Sequence, residues 1–396
     1  MSKIILRSYQ EQLIENLRVK FSLGLKRLLA VAPTGSGKTV MFSYMASAAA
    51  AKGLNVLILA HREELLFQIS ETLGEFKCDH SFIMPGVIID QRQKVQVGSV
   101  FTVINNIGKF KNPDLIIIDE AHHFASGNTW SKVIANFPGV RIVGVTATPC
   151  RLDGKPLNDC FESLVLGPSV ADLIKEGALS DYVAFTPDLV TADELKITAG
   201  DYNKGQMDLM MNKPAITGDA IKEWFKLAKG KKTIVFCVTV EHAKNVAEAF
   251  MSAGVSARAV DGAMDKLTRR QILDDFKSGK IEVLTNVNIF TEGFDCKTIE
   301  CVMLLRPTAS LSMYLQMIGR GLRVFPGKGK AILIDHVRAI ETHGLPDEEQ
   351  AWSLSDRIKR RKKIDGKNVS PVKVCTTCFA ANQSLNLFCT YCGAPF

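Results

Sequence analysis

A glycine-rich run at residues 32–39, Ala-Pro-Thr-Gly-Ser-Gly-Lys-Thr, restricts the fold of this chain more than any other feature of its sequence. The run follows an apolar segment, Arg27–Ala32, and precedes an alanine-rich segment, Val40–Lys52, which is followed by Gly53. The apolar segment is typical of a buried strand, and the alanine-rich segment is typical of a helix that ends at a glycine. A tight turn between such a strand and such a helix predicts one unit of a parallel α/β sheet.

The same alternation continues along the chain and predicts two α/β halves in tandem. Most of the apolar runs are nearly continuous, as expected for strands that helices cover on both faces. Strands of the first half are predicted at Arg27–Ala32, Asn55–Ala60, Lys94–Gly98, Asp114–Asp119 and Arg141–Thr146. Strands of the second half are predicted at Thr233–Cys237, Ala257–Val260, Glu282–Thr285, Cys301–Leu305 and Ala331–Asp335.

The composition is that of a globular protein: of 396 residues, 46% are hydrophobic and 23% are charged. This balance excludes a long disordered chain. The longest apolar runs, such as Leu115–Ile118 and Val56–Ala60, are too short to cross a bilayer, and no signal sequence follows Met1. We therefore expect a cytoplasmic protein without a membrane partner, whose scattered cysteines are reduced. The net charge of +8 fits a polyanionic partner without requiring one.

The chemistry of the run at residues 32–39 predicts a site for the phosphates of ATP. Lys38 is expected to reach the β- and γ-phosphates, and the Thr39 hydroxyl is expected to bind Mg²⁺. The general pattern has glycine where this chain has Ala32, so a turn without a ligand is the alternative. The strand–helix context favours the phosphate site, in which backbone N–H groups would surround phosphate oxygens at Thr34, Gly35, Ser36 and Gly37.

An apolar run that ends in two acids, Leu115–Glu120, supplies a second part of that site. A carboxylate at the end of a buried strand is how such sheets present a ligand to Mg²⁺, and Asp119 is the predicted ligand. Glu120 is the candidate that orients and deprotonates the attacking water. A helix cap followed by a first-turn acid is the alternative for an isolated Asp-Glu pair. The upstream phosphate loop favours the catalytic interpretation.

Nine short runs, in order, resemble the motifs of superfamily 2 helicases. Asp119–His122 resembles the DEAH box, and Ala32–Thr39 resembles helicase motif I, alanine included. The resemblance covers roughly residues 4 to 340. The other runs are Leu6–Gln10 (the Q-type motif), Ala60–Leu65 (motif Ia), Val97–Thr102 (Ib), Thr146–Pro149 (III), Ile234–Cys237 (IV), Thr285–Asp295 (V) and Gln316–Arg323 (VI).

The resemblance implies two tandem RecA-like lobes that close on ATP and Mg²⁺. Arg320 and Arg323, three residues apart on a predicted helix, would share one face and neutralise charge in the transition state; surface arginines of an amphipathic helix are the alternative. By the resemblance, Arg7, Gln10, Gly293 and Asp295 bind ATP. Residues expected to couple hydrolysis to lobe movement are His122, Thr146, Thr148 and Gln316. Residues expected to contact the nucleic-acid backbone are Arg62, Thr102 and Thr285.

The extension Thr148–Gly154 is similar to RadD-like proteins, phage helicases and the motor subunits of restriction enzymes, which act on DNA. The resemblance therefore implies an ATP-dependent DNA helicase or translocase of DNA repair, recombination or replication, encoded by a bacterium or a phage. Single-stranded or branched DNA is the expected partner, and 3′-to-5′ movement is suggested. The alternatives are an ATPase that remodels branched DNA or protein–DNA complexes without processive unwinding, a nucleic-acid-binding adaptor, and an RNA substrate.

The last 22 residues contain four cysteines, Cys375, Cys378, Cys389 and Cys392, in two Cys-x-x-Cys pairs. Two such pairs converging on one tetrahedral ion are typical of structural Zn²⁺, and a redox pair would need a βαβ context that is missing here. The module could recruit a protein partner. Its aromatic residues, Phe379, Phe388 and Tyr391, either stack on bases or form its small core.

These observations predict five segments. Residues 1–190 form the first lobe, residues 191–217 a polar linker and residues 218–343 the second lobe. Residues 344–372 form a second linker, which contains the basic run Arg357–Lys363, and residues 373–396 form a separate zinc module. The basic run is either a phosphate-binding segment or a solvated connection.

Overall fold

The chain forms two compact units in a computed structural model. One unit comprises Met1–Ser169 and Gln350–Ile358, and the other comprises Val170–Glu349 and Lys359–Phe396. The chain therefore passes from the first unit to the second and back before it returns to the second. The structure describes residues 5–151, 156–187, 195–198, 201–287, 289–290, 296–355, 363–364, 367–368 and 372–396.

The first unit is a seven-stranded parallel sheet between helices, with strand order β3-β4-β2-β5-β6-β1-β7. Its strands are β1 (Arg27–Val31), β2 (Val56–Ala60), β3 (His80–Ile83), β4 (Val95–Ser99), β5 (Leu115–Asp119), β6 (Arg141–Thr146) and β7 (Ser163–Leu166). Its helices are α1 (Ser8–Ser22), α2 (Lys38–Ala51), α3 (Glu63–Glu75), α4 (Val100–Val103) and α5 (Thr129–Ala135). The five predicted strands of this half are confirmed, and β3 and β7 were not foreseen.

Many of these helices bury one apolar face against the sheet. In α3 the buried residues recur at helical spacing and are Leu65, Leu66, Ile69 and Leu73. Two apolar layers, one on each face of the sheet, form the core of this unit. Nowhere in the described part of the chain is a helix both long enough and apolar enough to cross a membrane.

The second unit is built around a six-stranded parallel sheet, with strand order β12-β13-β11-β14-β15-β8. Its sheet strands are β8 (Tyr182–Phe185), β11 (Thr233–Phe236), β12 (Ala257–Val260), β13 (Val283–Asn286), β14 (Cys301–Leu304) and β15 (Ala331–Asp335). Short strand pairs are β9 (Ile197–Thr198) with β10 (Asp201–Tyr202), β16 (Lys363–Ile364) with β17 (Lys367–Asn368), and β18 (Val372–Val374) with β19 (Ala381–Gln383). Its helices are α6 (Val170–Lys175), α7 (Lys204–Met211), α8 (Pro214–Leu227), α9 (Val240–Ser252), α10 (Lys266–Ser278), α11 (Leu311–Gly319) and α12 (Ala339–His343). The α/β class with two parallel sheets is confirmed, as are the five strands predicted for this half.

The boundary expected at residue 190 differs from the structure. Strand β8 pairs in parallel with β15, so the chain enters the second unit before that position. Part of the expected linker at residues 191–217 also belongs to that unit, because Met207 and Met211 of α7 are buried in its core. Both segments are packed parts of the second unit.

The expected linker at residues 344–372 is interrupted by a segment that packs on the first unit. Trp352 and Leu354 lie against its core, and the Leu157 N–H donates to the Leu354 carbonyl oxygen at 3.1 Å. This contact places Gln350–Ile358 with the first unit. Most of the basic run, Arg357–Lys362, lies outside the described residues, and Lys363 begins β16.

Candidate nucleotide site and metal centre

The loop between β1 and α2 has the backbone shape of a phosphate-binding loop. Gly35 and Gly37 have φ values of 89° and 79°, a region that side chains strongly disfavour. Gly37 is also the residue before α2, and it has no side chain to accept the first-turn N–H groups of that helix. The Ser36 hydroxyl is buried without a hydrogen-bond partner among the described residues. These donors fit an oxyanion, so the residues present suit ATP phosphates.

Two side chains of the Q-type motif form hydrogen bonds with this loop. The Tyr9 hydroxyl donates to the Ser36 carbonyl oxygen at 2.8 Å, and Gln10 Nε2 donates to the same oxygen at 3.1 Å. Gln10 Oε1 in turn accepts the Arg7 N–H at 2.9 Å. A Cβ atom at Gly37 would lie 2.6 Å from Gln10 Nε2, so a side chain there would displace the Gln10 amide from the loop. Sequence reasoning selected Arg7 and Gln10 and missed Tyr9, which lies between them in the same motif.

Ala32 is compatible with this loop although the general pattern has glycine there. Its φ is not in the left-handed region, so the position does not require glycine. Its N–H donates to the Thr146 carbonyl oxygen at 3.0 Å, which extends the pairing of β1 with β6 into the loop. Lys38 Nζ donates to the carbonyl oxygens of Ala32 and Pro33 at 3.2 and 3.3 Å. The lysine ammonium therefore lies over the loop, and Thr39 follows it in the first turn of α2.

The acidic pair lies at the carboxyl end of β5, as predicted. Asp119 is its last residue and Glu120 follows it, and both are at least nine-tenths buried. Glu120 has a φ of 49°, a strained value for a residue with a side chain, and its N–H donates to Asp119 Oδ1 at 3.0 Å. Two buried carboxylates thus follow one another at the end of one strand. Such an arrangement suits one carboxylate for Mg²⁺ and the other for water.

Buried polar contacts join Glu120 to β6 through His122. His122 Nδ1 lies 3.1 Å from Thr146 Oγ1 and 3.4 Å from Glu120 Oε2. The Thr146 hydroxyl donates to the Thr148 carbonyl oxygen at 2.9 Å and accepts the Thr148 N–H at 3.2 Å. Because the hydroxyl proton is used in this way, Nδ1 of His122 is the donor to Thr146. Three residues predicted to act in coupling therefore form one connected group.

The residues predicted to contact nucleic acid separate into two kinds. Arg62 and Thr102 follow β2 and β4, two neighbouring parallel strands, so they lie at the same edge of the sheet and are partly exposed. Thr285 lies within β13, is fully buried and donates to the Ala243 carbonyl oxygen at 2.7 Å. The structure thus gives Thr285 a packing role, which corrects its interpretation as a strand contact.

The arrangement predicted for Arg320 and Arg323 needs a correction. Helix α11 carries the buried Gln316 but ends at Gly319, so Arg320 is its C-cap and Arg323 lies beyond it. The chain turns here because Gly321 packs on β14, where an added Cβ would lie 2.7 Å from Val302 Cγ2. The two arginines therefore do not share a helical face. Gly293 and Asp295, the other ATP residues predicted in this half, lie outside the described residues.

The four C-terminal cysteines converge, as the spacing predicted. The Sγ atoms of Cys375, Cys378, Cys389 and Cys392 all lie within 4.8 Å of one another. Burial opposes ionisation of Cys389, but the N–H groups of Cys392 and Tyr391 outweigh it and lower its pKa to about 6. Four convergent sulfur atoms are the donor set that structural Zn²⁺ prefers, so the residues fit the ion.

The first cysteine pair lies on the edge of the second unit's sheet. The Thr186 N–H, just after β8, donates to the Phe379 carbonyl oxygen at 2.8 Å, and Phe185 pairs with Ala380 in an antiparallel bridge. The Tyr391 ring packs edge-on against Phe185, with 5.0 Å between centroids. The module that sequence analysis expected to be separate therefore covers the β8 edge. Its aromatic residues do not form an internal core, because Phe379, Phe388 and Tyr391 are 38%, 61% and 58% exposed.

Comparison with known families matches both halves of the chain. Residues 3–151 match the family described as the res subunit of type III restriction enzymes. Residues 216–325 match the helicase conserved C-terminal domain. These two ranges contain the phosphate loop and acidic pair on one side, and α11 on the other.

Individual relatives agree with this match. A 51.5 kDa protein of Lactococcus phage (isolate 7-9) is 34% identical over 92% of this chain and 77% of its own length. The helicase IRC3 of Saccharomyces cerevisiae is 31% identical over 85% of this chain, which spans only 52% of that protein. A fragment of the HsdR subunit of a type I restriction enzyme from Vibrio vulnificus YJ016 has a TM-score of 0.68 at 24% identity, covering 86% of this chain and 66% of that one. At that identity the likeness concerns the fold alone.

Proposed function

We propose, from the premise that this chain belongs to helicase superfamily 2, that it couples ATP hydrolysis to movement along DNA. One observation carries the proposal. The carbonyl oxygen of Thr146 accepts the N–H of Ala32 in the phosphate loop, while its hydroxyl contacts His122 beside Glu120. A change at the phosphates can therefore reach β6 through two hydrogen bonds at one residue. Connected hydrogen bonds of this kind are one physical route by which hydrolysis can be transmitted to a movement.

The first unit supplies binding and water activation. The loop at Gly35–Lys38 binds the phosphates of ATP, and Gln10 and Arg7 bind its adenine. Glu120 takes the proton of the attacking water. Thr39 and Asp119 would hold Mg²⁺, which neutralises phosphate charge when bound.

The second unit supplies positive charge. Arg320 and Arg323 follow α11, and we assign to Arg320 the neutralisation of the transition-state charge, because it is the buried C-cap of a helix and therefore has a defined position. An arginine in this role is worth roughly 10³- to 10⁵-fold in kcat in comparable enzymes. Gln316, one turn earlier on α11, belongs to the same group.

DNA is the proposed track. A type ISP restriction-modification enzyme, LlaBIII, whose fold resembles that of this chain with a TM-score of 0.63, has a structure solved bound to DNA. The net charge of +8 is compatible with a polyanion. Arg62 and Thr102 would contact the strand backbone, which positions the strand without reading its sequence. The role in repair, recombination or replication, and the bacterial or phage cytoplasm as its place, stay predictions.

Two assays side by side test movement. Unwinding of a forked duplex is measured beside displacement of a third strand from a triplex, with Glu120→Gln as the matched inactive variant. Triplex displacement that needs ATP and is lost in Glu120→Gln supports a motor, and duplex unwinding in addition makes it a helicase. ATP hydrolysis without either activity would contradict movement on DNA and favour an adaptor role.

A further inference from the structure

A half-buried carboxylate in β10 is hydrogen-bonded to the loop that precedes α11. Asp201 of β10 lies in a segment that the sequence presents as a polar connection. Its Oδ1 accepts the Ala309 N–H at 2.7 Å and the Thr308 hydroxyl at 3.0 Å, and its Oδ2 accepts Arg306 Nη2 at 2.9 Å. One side chain thus holds three groups of the short loop between β14 and α11. We call Asp201, Arg306 and Thr308 the latch.

Arg306 depends on this carboxylate for its charge balance. The residue is 8% exposed, and its Nε and Nη1 atoms have no hydrogen-bond partner among the described residues. A guanidinium buried in this way is costly unless a counter-ion lies beside it. Asp201 is the acid that contacts it, at 2.9 Å. Asp201 and Arg306 therefore form an ion pair within the latch, and loss of the carboxylate leaves the guanidinium buried without a counter-ion.

The same loop is fixed from its other side. His343 Nε2 lies 2.9 Å from the Thr308 carbonyl oxygen, and the His343 ring stacks on Tyr314 of α11 with 5.0 Å between centroids. The Thr308 hydroxyl also accepts the Ser310 N–H at 3.1 Å, and Ser310 caps α11. The first turn of α11 is thus held between the β9–β10 hairpin and α12.

We propose that Asp201 is a positioning residue that sets the direction of α11 and hence the place of Arg320. Helix α11 has nine residues and is about 13 Å long at 1.5 Å per residue. A tilt of about 5° at its start moves its far end by about 1 Å, and a misplacement of that size can lower a rate by about 10²-fold. The latch holds the start of α11, whereas Arg320 is the residue at its end. This inference rests on the role proposed above for Arg320.

The test compares four variants by ATP hydrolysis with saturating single-stranded DNA, well below the melting temperature of each. Asp201→Asn keeps the shape but leaves Arg306 without its counter-ion. We expect kcat to fall about tenfold while KM for ATP stays within about twofold, since the phosphate loop and the acidic pair belong to the first unit. The double variant Asp201→Asn, Arg306→Gln restores a neutral hydrogen-bonding pair, and we expect kcat to return to within about threefold of the unaltered protein.

Two further variants complete the test. Asp181→Asn removes an ion pair with Lys330 of similar length, 2.8 Å, on the exposed surface of the same unit, and it should change neither constant. If Asp201→Asn does not fold, Thr308→Val replaces it, because that change removes one bond to the carboxylate and leaves no unpaired charge. A lowered melting temperature with unchanged kcat in whichever variant folds would show that the latch is only structural and overturn the inference. If instead the unaltered protein hydrolyses no ATP with DNA, the proposed function itself fails.

Discussion

Nδ1 of His122 lies 3.1 Å from Oγ1 of Thr146, and the carbonyl oxygen of the same threonine accepts the N–H of Ala32 at 3.0 Å. His122, Thr146 and Ala32 are almost fully buried, so water does not compete for either hydrogen bond. The acidic turn after β5 and the phosphate loop after β1 are thus connected through one residue at the end of β6. A displacement of either loop must move or break a bond at Thr146.

Replacing His122 by alanine tests this connection. We expect ATP hydrolysis without nucleic acid to be largely retained, and its stimulation by DNA to fall about fivefold, because a buried hydrogen bond worth about 1 kcal/mol is lost. Steady-state kinetics with and without DNA measure the ratio. His80→Ala is the control, since His80 Nε2 lies 2.7 Å from the Ser70 hydroxyl in the same unit but away from the site. Equal stimulation in His122→Ala and the unaltered protein would contradict the coupling role.

Replacing Gly37 by alanine tests the contact between the Q-type motif and the phosphate loop. The added Cβ would lie 2.6 Å from Gln10 Nε2 and would also occupy a φ of 79°. We expect the Kd for ATP to rise tenfold or more, at a backbone cost of about 1–2 kcal/mol. Gly53→Ala at the other end of α2 has a similar φ of 83° but open space around it. It should therefore lose stability without losing ATP affinity. A normal Kd in Gly37→Ala would refute the contact.

Replacing one cysteine of the C-terminal cluster tests whether that cluster covers the edge of β8. We expect the Cys375→Ser variant to bind no zinc and its backbone amides in Tyr182–Phe185 to exchange hydrogen faster with solvent. We also expect the melting temperature of the second unit to fall by about 3 °C or more. Zinc content, hydrogen exchange and a thermal melt measure these three effects. Thr377→Ala, an exposed change in the same cysteine pair, should alter none of them. Loss of zinc with unchanged exchange in β8 would restore the interpretation of the tail as a separate module.

Local patterns made much of the fold and the nucleotide site predictable. A buried strand, a glycine-rich turn and a helix follow one another within 25 residues, so Arg27–Ala51 could be placed from its own sequence. The acids at Asp119 and Glu120 could be placed because they end an apolar run. The four cysteines could be grouped by spacing alone. In each case the informative residues are neighbours in the chain.

The remaining features depend on distant partners. Strand β8 has four residues and pairs with β15, about 150 residues later. Neither its register nor its contact with the C-terminal cysteine module could therefore be foreseen. Asp201 and Arg306 are 105 residues apart and carry no local pattern. Helix α11 ends early because Gly321 packs on Val302, a contact between elements. Thr285 resembles a motif residue, yet its hydroxyl is used by Ala243 of α9.

The most direct measurement is steady-state ATP hydrolysis without nucleic acid and with single-stranded DNA, forked DNA or single-stranded RNA, each at two salt concentrations. We predict strong stimulation by DNA over RNA that weakens at the higher salt, because phosphate contacts release counterions. Lys38→Ala and Glu120→Gln should lower the stimulated rate by roughly 10²- to 10⁴-fold while DNA binding persists, and Lys52→Ala at the exposed end of α2 should not. A rate that is indifferent to every nucleic acid would contradict the account of a DNA-driven motor.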